Sequence, residues 1–203
     1  MNVEPAIKQL AELDKLASHM RLAAETWDSE WKTLISIICS ARTRDEVTIK
    51  ICTELFIKYP TLESLSKADL RKIESEIRSI NFYKNKSKSV LNCAKTLIEK
   101  YNGKVPHDVN ELVELPGVGR KTANVFLAEY GKDAIGIDTH VSYISQKLKW
   151  TNNKDPKKIE KDLECLFPKD YWRKINSTLV HFGKTYMSKK RKDEILGSIS
   201  KTS

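Results

Sequence analysis

Apolar residues recur at the spacing of an α-helix along nearly the whole chain. The pattern is clear in four segments, residues 70–77, 87–101, 159–166 and 171–180. In each of them the apolar side chains fall on one stripe of a helix. Pro156 is well placed for a first helical turn, because proline needs no backbone N–H donor there.

The segment WKTLISIICS, residues 31–40, is apolar on nearly every side. A helix of that kind is normally buried, so we expect this one at the centre of a domain. No segment alternates clearly between apolar and polar residues, as a half-buried strand would, and the chain has only seven glycines. We predict an all-α fold of about ten helices joined by short loops.

Charge favours an acidic partner. The 203 residues suffice for one domain or two small ones, and 36 Lys and Arg outnumber 27 Asp and Glu, for a formal net charge of +9. That excess favours a polyanion such as nucleic acid, although many soluble proteins are basic without one. The basic run after Gly183 can be a solvated end or a phosphate-contacting arm, and base rates favour the solvated end.

The four cysteines, Cys39, Cys52, Cys93 and Cys165, are scattered, and none pairs in the CxxC spacing of a metal site. Buried, reduced thiols in an intracellular protein are the simplest interpretation. The N-terminus lacks the apolar core of a signal peptide, and no run of about 18 apolar residues predicts a membrane span.

The segment ELPGVGRKTANVFLAEYG, residues 114–131, places two glycines between a proline and a basic pair. We predict a short helix over 109–115, a tight hairpin over 116–119 and a second helix from Arg120. A helix N-terminus presents unpaired N–H groups, and glycines let the backbone approach an anion closely. The segment suits a phosphate, whereas a lone G-x-G would favour an ordinary turn between helices.

The whole string LPGVGRKTA is much more specific, and it resembles the helix-hairpin-helix motif of DNA-binding repair proteins, here over residues 109–130. Three more segments extend the likeness, namely SARTRDE at 40–46, NFYKNKSKSV at 81–90 and AIGIDTHVSYIS at 134–145. Together they resemble the endonuclease III family of DNA glycosylases from Trp31 to Met187.

The resemblance implies two helical lobes around a DNA-binding cleft. One lobe, residues 23–132, would be a six-helix barrel that carries the helix-hairpin-helix motif. The other would combine residues 1–22 with 133–203. The resemblance puts Lys121 and Asp138 on opposite sides of the cleft.

The resemblance also implies a mechanism. Lys121 would attack the sugar C1′, expel the damaged base and leave a Schiff base, after which elimination nicks the strand at an abasic site. The attacking amine must be neutral, which favours a buried lysine or one beside a cation such as Arg120. Asp138 would stabilise positive charge on the sugar and help to move protons. Without the motifs, Lys121 would be interpreted as a solvated surface residue and Asp138 as an N-cap.

Further site residues follow from the resemblance. A glycosylase extrudes its target base, and an inserted side chain can fill the gap. Arg42, where the family commonly has glutamine, and Phe82 fall at the positions of such wedges. The remaining DNA-contacting candidates are Gly117, Val118, Gly119, Arg120, Thr122, His140, Tyr83, Lys84 and Lys86. Ser40 and Asp45 are candidates for the base pocket, although a helix-end hydroxyl and a capping carboxylate are equally good interpretations.

Many family members carry a [4Fe–4S] cluster on four closely spaced cysteines near the C-terminus. Met187 stands where the first ligand should be, and no cysteine follows Cys165. We therefore expect no iron–sulfur cluster, no metal and no other cofactor. The expected partner is damaged double-stranded DNA, with no membrane, for a monomer in the cytoplasm or nucleoid.

Two other functions stay open. One is a uracil or G:T mismatch glycosylase of the same superfamily, which the unusual Arg42 leaves open. The other is a DNA-binding module that uses the hairpin without catalysis, against which the combination of Lys121 and Asp138 argues.

Overall fold

The computed structural model describes residues 3–201, and its described part contains helices and no strand. The helices are α1 (Val3–Leu16), α2 (Glu30–Ser40), α3 (Asp45–Lys58), α4 (Leu62–Ser66), α5 (Leu70–Glu76), α6 (Tyr83–Tyr101), α7 (Val109–Leu112), α8 (Arg120–Glu129), α9 (Thr139–Lys147), α10 (Pro156–Leu166), α11 (Trp172–Thr185) and α12 (Lys189–Lys201), with a 3-10 turn at Lys169–Tyr171 before α11. The all-α prediction is confirmed. None of these helices is both long and apolar enough to cross a membrane.

The chain divides into two compact units. The first, called the hairpin unit below, runs from Arg21 to Glu129 and contains α2 to α8. The second, called the terminal unit, combines the residues up to Met20 with those from Tyr130 onward. It contains α1 and α9 to α12.

Helix α2 forms the core of the hairpin unit, as its apolar sequence predicts. Seven consecutive residues, 33–39, are buried, and α3, α6 and α8 pack around them. The polar Ser36 is accommodated because its hydroxyl donates to the carbonyl oxygens of Ala23 at 2.6 Å and Thr33 at 2.8 Å. Such pairing removes the penalty of burying an unsatisfied hydroxyl.

Helix α6 covers a second side of the hairpin unit and packs against α4 and α5. Its buried stripe includes Val90, Leu91, Ala94 and Leu97, the residues whose spacing predicted it. The observed helix begins at Tyr83, before the first of these residues, so the periodicity found the helix but not its start.

In the terminal unit, α1 and α9 both pack against α11. Polar contacts tie the distant segments together: Trp150 Nε1 donates to Gln9 Oε1 at 2.7 Å, and Thr178 Oγ1 donates to Asp14 Oδ1 at 2.9 Å. The N-terminal helix is therefore part of the same core as the C-terminal helices.

The basic segment after Gly183 is not a solvated end, so that expectation is wrong. Residues 189–201 form α12, which contacts α9 and α1. Leu196 is 1% exposed and Ile199 is 6% exposed, and even Lys192 is buried. The two apolar side chains lie three residues apart, so both fall on the buried face of a helix that is otherwise rich in lysine.

Cys39, Cys52 and Cys93 are buried, as predicted, and all three lie in the hairpin unit. Burial raises the pKa of Cys93 to about 12, so this thiol is held in its neutral form. The prediction is wrong for Cys165, which is exposed. It lies off the buried face of α10, which is formed by Ile159, Leu163 and Leu166.

Candidate active site

The glycine-rich segment folds as a hairpin between two helices. Asp108 caps the first helix, α7, by accepting from the backbone N–H groups of Asn110 at 2.8 Å and Glu111 at 3.2 Å. This helix ends at Leu112 rather than at the predicted residue 115, and α8 begins at Arg120 as predicted. The two helices pack together, which fixes the turn between them.

Gly117 is required by the packing of the hairpin. Its φ is +83°, a conformation that favours glycine. A Cβ there would lie 2.6 Å from Ser89 Cβ on α6 and 3.3 Å from a methyl carbon of Ile38 on α2. The absence of a side chain therefore lets the turn dock directly onto both helices.

Gly119 lies in open space, so packing does not require glycine there. A Cβ at this position would meet nothing within 4 Å. The next two residues, Arg120 and Lys121, are exposed, whereas the side chain of Val118 is buried. The backbone N–H of Val118 already donates to the carbonyl oxygen of Leu115 at 3.0 Å, so the exposed groups of this turn are Gly119 and the two cations at the start of α8.

Lys121 is exposed, so of the two expected ways of keeping its amine neutral, burial and a neighbouring cation, burial is not seen. Its neighbour Arg120 supplies the adjacent cation that the sequence predicted. An exposed amine at the second residue of a helix is accessible to a molecule that docks on the turn before it.

Asp138 lies in the terminal unit and is the N-cap of α9. Its Oδ1 accepts a hydrogen bond from the backbone N–H of Val141 at 2.8 Å, and the residue is partly exposed. The capping interpretation is thus confirmed. One carboxylate oxygen holds the helix, and this contact fixes the direction in which the second oxygen points.

His140 packs closely against α11. A Cβ on Gly183 would lie 2.2 Å from His140 Nδ1, so glycine at this position makes room for the ring. Lys192 Nζ, from α12, donates to the carbonyl oxygen of the same Gly183 at 3.0 Å. Burial lowers the pKa of Lys192. The imidazole is therefore held by a three-helix junction and is only partly exposed.

A second contact joins α12 to α9. Asp193 accepts a short hydrogen bond from the Tyr143 hydroxyl and forms an ion pair with Lys147 at 3.1 Å. The hydrogen bond from Tyr143 lowers the pKa of Asp193. Burial and the same bond raise the pKa of Tyr143 to about 12. Helix α9 is thus joined to α12 through Tyr143 and Lys147, and no local pattern in the sequence predicts this contact.

Arg42 and Phe82, the predicted wedge residues, lie side by side in the hairpin unit. The guanidinium carbon of Arg42 is 5.7 Å from the centre of the Phe82 ring, within cation–π range. Both residues have a left-handed backbone, with φ of +55° and +59°. That conformation costs each about 1–2 kcal/mol. Phe82 is 59% exposed, which is unusual for an aromatic side chain of a folded domain.

Asn81 ties the two wedge loops together. Its side-chain amide donates a short hydrogen bond to the Arg42 carbonyl oxygen, and its backbone N–H donates to Thr43 Oγ1 at 3.2 Å. Asn81 and Thr43 were not among the predicted site residues, because their partners lie on the other loop, nearly forty positions away in the sequence.

Lys86 does not face a ligand, and its predicted DNA contact is wrong. The side chain is buried, and its Nζ donates to the carbonyl oxygens of Cys39 at 2.7 Å and Ala41 at 2.5 Å, with Thr43 Oγ1 at 3.3 Å. Burial lowers the pKa of this lysine. The amine instead satisfies free carbonyl groups at the C-terminus of α2, where the helix dipole favours a cation.

The remaining candidates fall into two groups. Lys84 is exposed, and Tyr83 and Thr122 are partly exposed, so all three are accessible. Ser40 donates to Ile37 O at 2.9 Å at the end of α2, as the helix-end interpretation expects. Asp45 is buried in the first turn of α3 and accepts from Ala23 N at 3.4 Å. Of the two pocket candidates, Asp45 is buried and Ser40 is partly exposed.

The cysteines do not fit a [4Fe–4S] cluster, which four thiolates hold. Cys165 is the single cysteine in the sequence of the terminal unit, and it is exposed on α10. Met187, at the position of the expected first ligand, is 78% exposed and offers only a thioether. Within residues 3–201, no group of three or more His, Cys, Asp or Glu side chains is arranged to hold a metal ion.

Comparison with known proteins places this geometry in context. Residues 35–169 match the family described as HhH-GPD superfamily base excision DNA repair protein. The chain is 41% identical over 155 residues to endonuclease III of Thermotoga maritima, which covers 76% of this chain and 73% of the relative. It is 39% identical over 153 residues to endonuclease III of a Synechocystis species, with 74% and 70% covered.

The fold also matches a solved structure. A trapped endonuclease III–DNA covalent intermediate, described as an estranged-adenine complex, superposes with a TM-score of 0.84 at 33% sequence identity. The match covers 93% of this chain and 89% of that one.

Proposed function

The chain belongs to the endonuclease III family of HhH-GPD base excision DNA repair proteins, and on that basis we propose that it excises oxidised pyrimidines, such as thymine glycol, from double-stranded DNA. It is a DNA glycosylase and abasic-site lyase of base excision repair. We propose further that its chemistry runs through a lysine Schiff base on Lys121.

The observation that carries this proposal is the hairpin before α8. A glycine that packing does not require, Gly119, precedes the exposed Arg120 and Lys121. A backbone without a side chain can approach a phosphate closely, and the N–H groups at the start of α8 favour an anion. A phosphate held there would bring the adjacent sugar towards the Lys121 amine.

In the proposed reaction, neutral Lys121 attacks C1′ of the damaged nucleotide. The new Nζ–C1′ bond forms as the bond from C1′ to the base nitrogen breaks, and the base leaves with that electron pair and gains a proton. Loss of a proton from the attacking nitrogen and opening of the sugar give a Schiff base. Loss of the 2′ proton then expels the 3′ phosphate, and water hydrolyses the Schiff base to free Lys121.

Asp138 is proposed to stabilise the positive charge that develops on the sugar as the base departs. Its half-exposed carboxylate is held in one orientation by the bond to Val141 N–H, which suits an electrostatic role without reorganisation. The same carboxylate can relay the protons that the elimination moves. In the proposal the hairpin unit and the terminal unit are the two lobes of the family fold.

We also propose that the protein works as an intracellular monomer without an iron–sulfur cluster. The proposed absence of a cluster is supported by the cysteines, which do not form a four-thiolate site. Phe82, exposed and rigidly held, is the proposed wedge that fills the gap left by an extruded base.

Borohydride trapping tests the proposed nucleophile. Purified protein is mixed with a labelled duplex that carries one thymine glycol or one abasic site, and reduction locks the Schiff base into a stable adduct. We expect an adduct on both substrates for the wild type and for Lys50→Ala, which removes an exposed lysine of α3 in the same unit. Lys121→Ala should bind both duplexes and give no adduct.

The outcomes separate the alternatives. An adduct with the abasic site only would retain the lyase and reopen the choice of base, which a panel of uracil and G:T duplexes would then resolve. Trapping by Lys121→Ala would overturn the assignment of the nucleophile. Tight binding without an adduct or a nick would favour a non-catalytic module.

A further inference from the structure

The basic segment after Gly183 forms a surface that the proposed chemistry does not use. Its sequence allowed two interpretations, a solvated end or an arm that contacts phosphate groups. Because residues 189–201 form the packed helix α12, the first interpretation is wrong. A helix that is anchored by one face holds its exposed side chains in a fixed place, so a partner that binds them has little chain to order.

Four cations open α12, and two of them are engaged within the protein. Lys192 is buried and donates to a backbone carbonyl oxygen at 3.0 Å, and Arg191 forms an ion pair with Glu194 at 3.4 Å. Lys189 and Lys190 are exposed, and within residues 3–201 neither of them forms an ion pair. These two ammonium groups are therefore available to a partner.

Lys189 and Lys190 do not stabilise the helix that carries them. The N-terminus of a helix has a partial positive charge, which repels lysines in the first turn. No acidic cap offsets this repulsion, because the residue before α12 is the neutral Ser188, whose Oγ lies 3.5 Å from the backbone nitrogen of Arg191. Two exposed lysines that oppose the helix and have no partner in the chain are typical of a surface that binds a polyanion.

The start of α12 lies beside the start of α9. The carbonyl oxygen that accepts from Lys192 belongs to Gly183, and the backbone of Gly183 packs against the ring of His140. His140 in turn is two residues from Asp138, the N-cap of α9. Lys189 is three residues before Lys192 and so lies on the same side of α12, at the edge of this junction.

In the proposed function, DNA lies with its reacting sugar at Asp138. The duplex continues beyond that nucleotide and carries a negative charge about every 1.7 Å along its axis. We propose, on the basis of the proposed function, that Lys189 and Lys190 bind backbone phosphates of the DNA beside the reacting nucleotide. An acidic protein would match the same charges, but DNA is the polyanion that the neighbouring site is proposed to hold. A phosphate contact carries no base information, so it serves damaged and undamaged DNA alike.

The salt dependence of DNA binding tests this contact. Fluorescence anisotropy gives the affinity for a labelled duplex with one tetrahydrofuran abasic-site analogue and for the same duplex without it, between about 50 and 200 mM salt. Each phosphate contact contributes about 0.9 to the slope of log affinity against log salt concentration. The double variant Lys189→Gln/Lys190→Gln should therefore lose about 1.8 of this slope on both duplexes. The ratio of the two affinities should stay as in the wild type.

Lys157→Gln/Lys158→Gln is the matched control. These lysines are also adjacent, exposed and in the first turn of a helix of the terminal unit, α10. There an acidic cap offsets their charge, because Asp155 accepts a hydrogen bond from the backbone N–H of Lys158 at 3.1 Å. The control removes the same net charge from the protein, and its slope should stay close to that of the wild type.

The single variant Lys190→Gln provides a second measurement should the double variant fail to fold, and it should lose about 0.9 of the slope. An unchanged slope in both variants would overturn the proposal and favour an acidic protein as the partner. An equal loss in the control would also overturn it, because the effect would then reflect net charge alone. Failure of the proposed function is a separate result, in which borohydride traps no adduct while the slope on the undamaged duplex still reports on α12.

Discussion

The backbone of Gly183 lies so close to the ring of His140 that a Cβ on this glycine would be 2.2 Å from Nδ1. Helices α9 and α11 can therefore meet only because the residue at 183 has no side chain. The contact determines where the first turn of α9 lies, and that turn begins at Asp138, the proposed electrostatic catalyst.

Gly183→Ala tests this contact. The added methyl group must displace the imidazole, and overpacking of this kind usually lowers the free energy of unfolding by about 1–3 kcal/mol. Gly197→Ala is the matched control, because Gly197 lies in α12 with nothing within 4 Å of its Cβ position. We expect that variant to gain about 0.5–1 kcal/mol from helix propensity. Urea denaturation gives the free energy of unfolding of both variants. An equal change in the two would contradict the close contact between Gly183 and His140.

The two hairpin glycines should separate stability from DNA binding. Gly117→Ala places a side chain at φ +83° and against Ser89, so we expect it to lose at least about 1–2 kcal/mol of stability. Gly119→Ala meets no neighbour, and its stability should stay within about 0.5 kcal/mol of the wild type. Its affinity for an abasic-site duplex should nevertheless fall about tenfold, the worth of one charge-assisted hydrogen bond.

Thermal melts and anisotropy titrations on the same two preparations would measure both quantities. If a folded Gly119→Ala variant bound DNA as tightly as the wild type, the DNA would not contact the backbone at residue 119 closely.

Much of this hairpin could be predicted from the sequence, since its helix starts and its glycines are local features. The periodicity likewise predicted α2 and the stripe of α6. Lys86 could not be predicted in the same way, because a lysine in a polar segment is normally solvated, and its carbonyl partners lie on another helix. The need for glycine at position 183 could not be predicted either, because it comes from the ring of His140, 43 positions earlier in the chain.

Helix α12 is an intermediate case. Leu196 and Ile199 have helical spacing, so a signal for packing was present within the charged run. No local pattern predicts the partner of Asp193, because that partner, the hydroxyl of Tyr143, lies on another helix, α9.

Asp138→Asn should separate the two roles of this residue. Asparagine caps a helix about as well as aspartate, so the melting temperature should hardly change. The variant lacks the negative charge, and we expect the single-turnover rate of base release to fall about 100-fold or more. Asp138→Ala should lose the rate and also about 1 kcal/mol of stability, because the bond to Val141 N–H is gone. A fully active Asp138→Asn variant would show that Asp138 caps α9 and has no electrostatic role in catalysis.

The contact of α12 with α9 should depend on pH. The folded-state pKa of Asp193 is lowered, chiefly by the hydrogen bond from Tyr143, below the reference value of 3.8. The unfolded state therefore binds its proton first as the pH falls, so the stabilisation is complete above that value and is lost below it. The melting temperature of the wild type should exceed that of Asp193→Asn at neutral pH.

This difference should narrow as the pH falls below 3.8. Asp170→Asn, at an exposed carboxylate of the 3-10 turn, is the control and should show little difference at either pH. A difference for Asp193→Asn that stayed constant down to low pH would show that the effect is not electrostatic.

Metal analysis tests the proposal that no iron–sulfur cluster is bound. We expect a colourless preparation without stoichiometric iron, even when the protein is purified without oxygen. A chelator should leave the melting temperature unchanged, because metal binding would otherwise contribute to the stability of the fold. A brown protein with bound iron would refute the proposal and make Cys165 the first residue to mutate.

The left-handed backbones of Arg42 and Phe82, held by Asn81, also bear on how the protein searches for damage. A probe that is already ordered has no loop to fold at each encounter, so little entropy is lost when it tests a base pair. The time spent at each position should then depend on how readily the DNA opens, which is easiest at a mismatched or damaged pair. We therefore expect the readiness of the duplex to open, rather than closure of a protein loop, to set the pace of scanning.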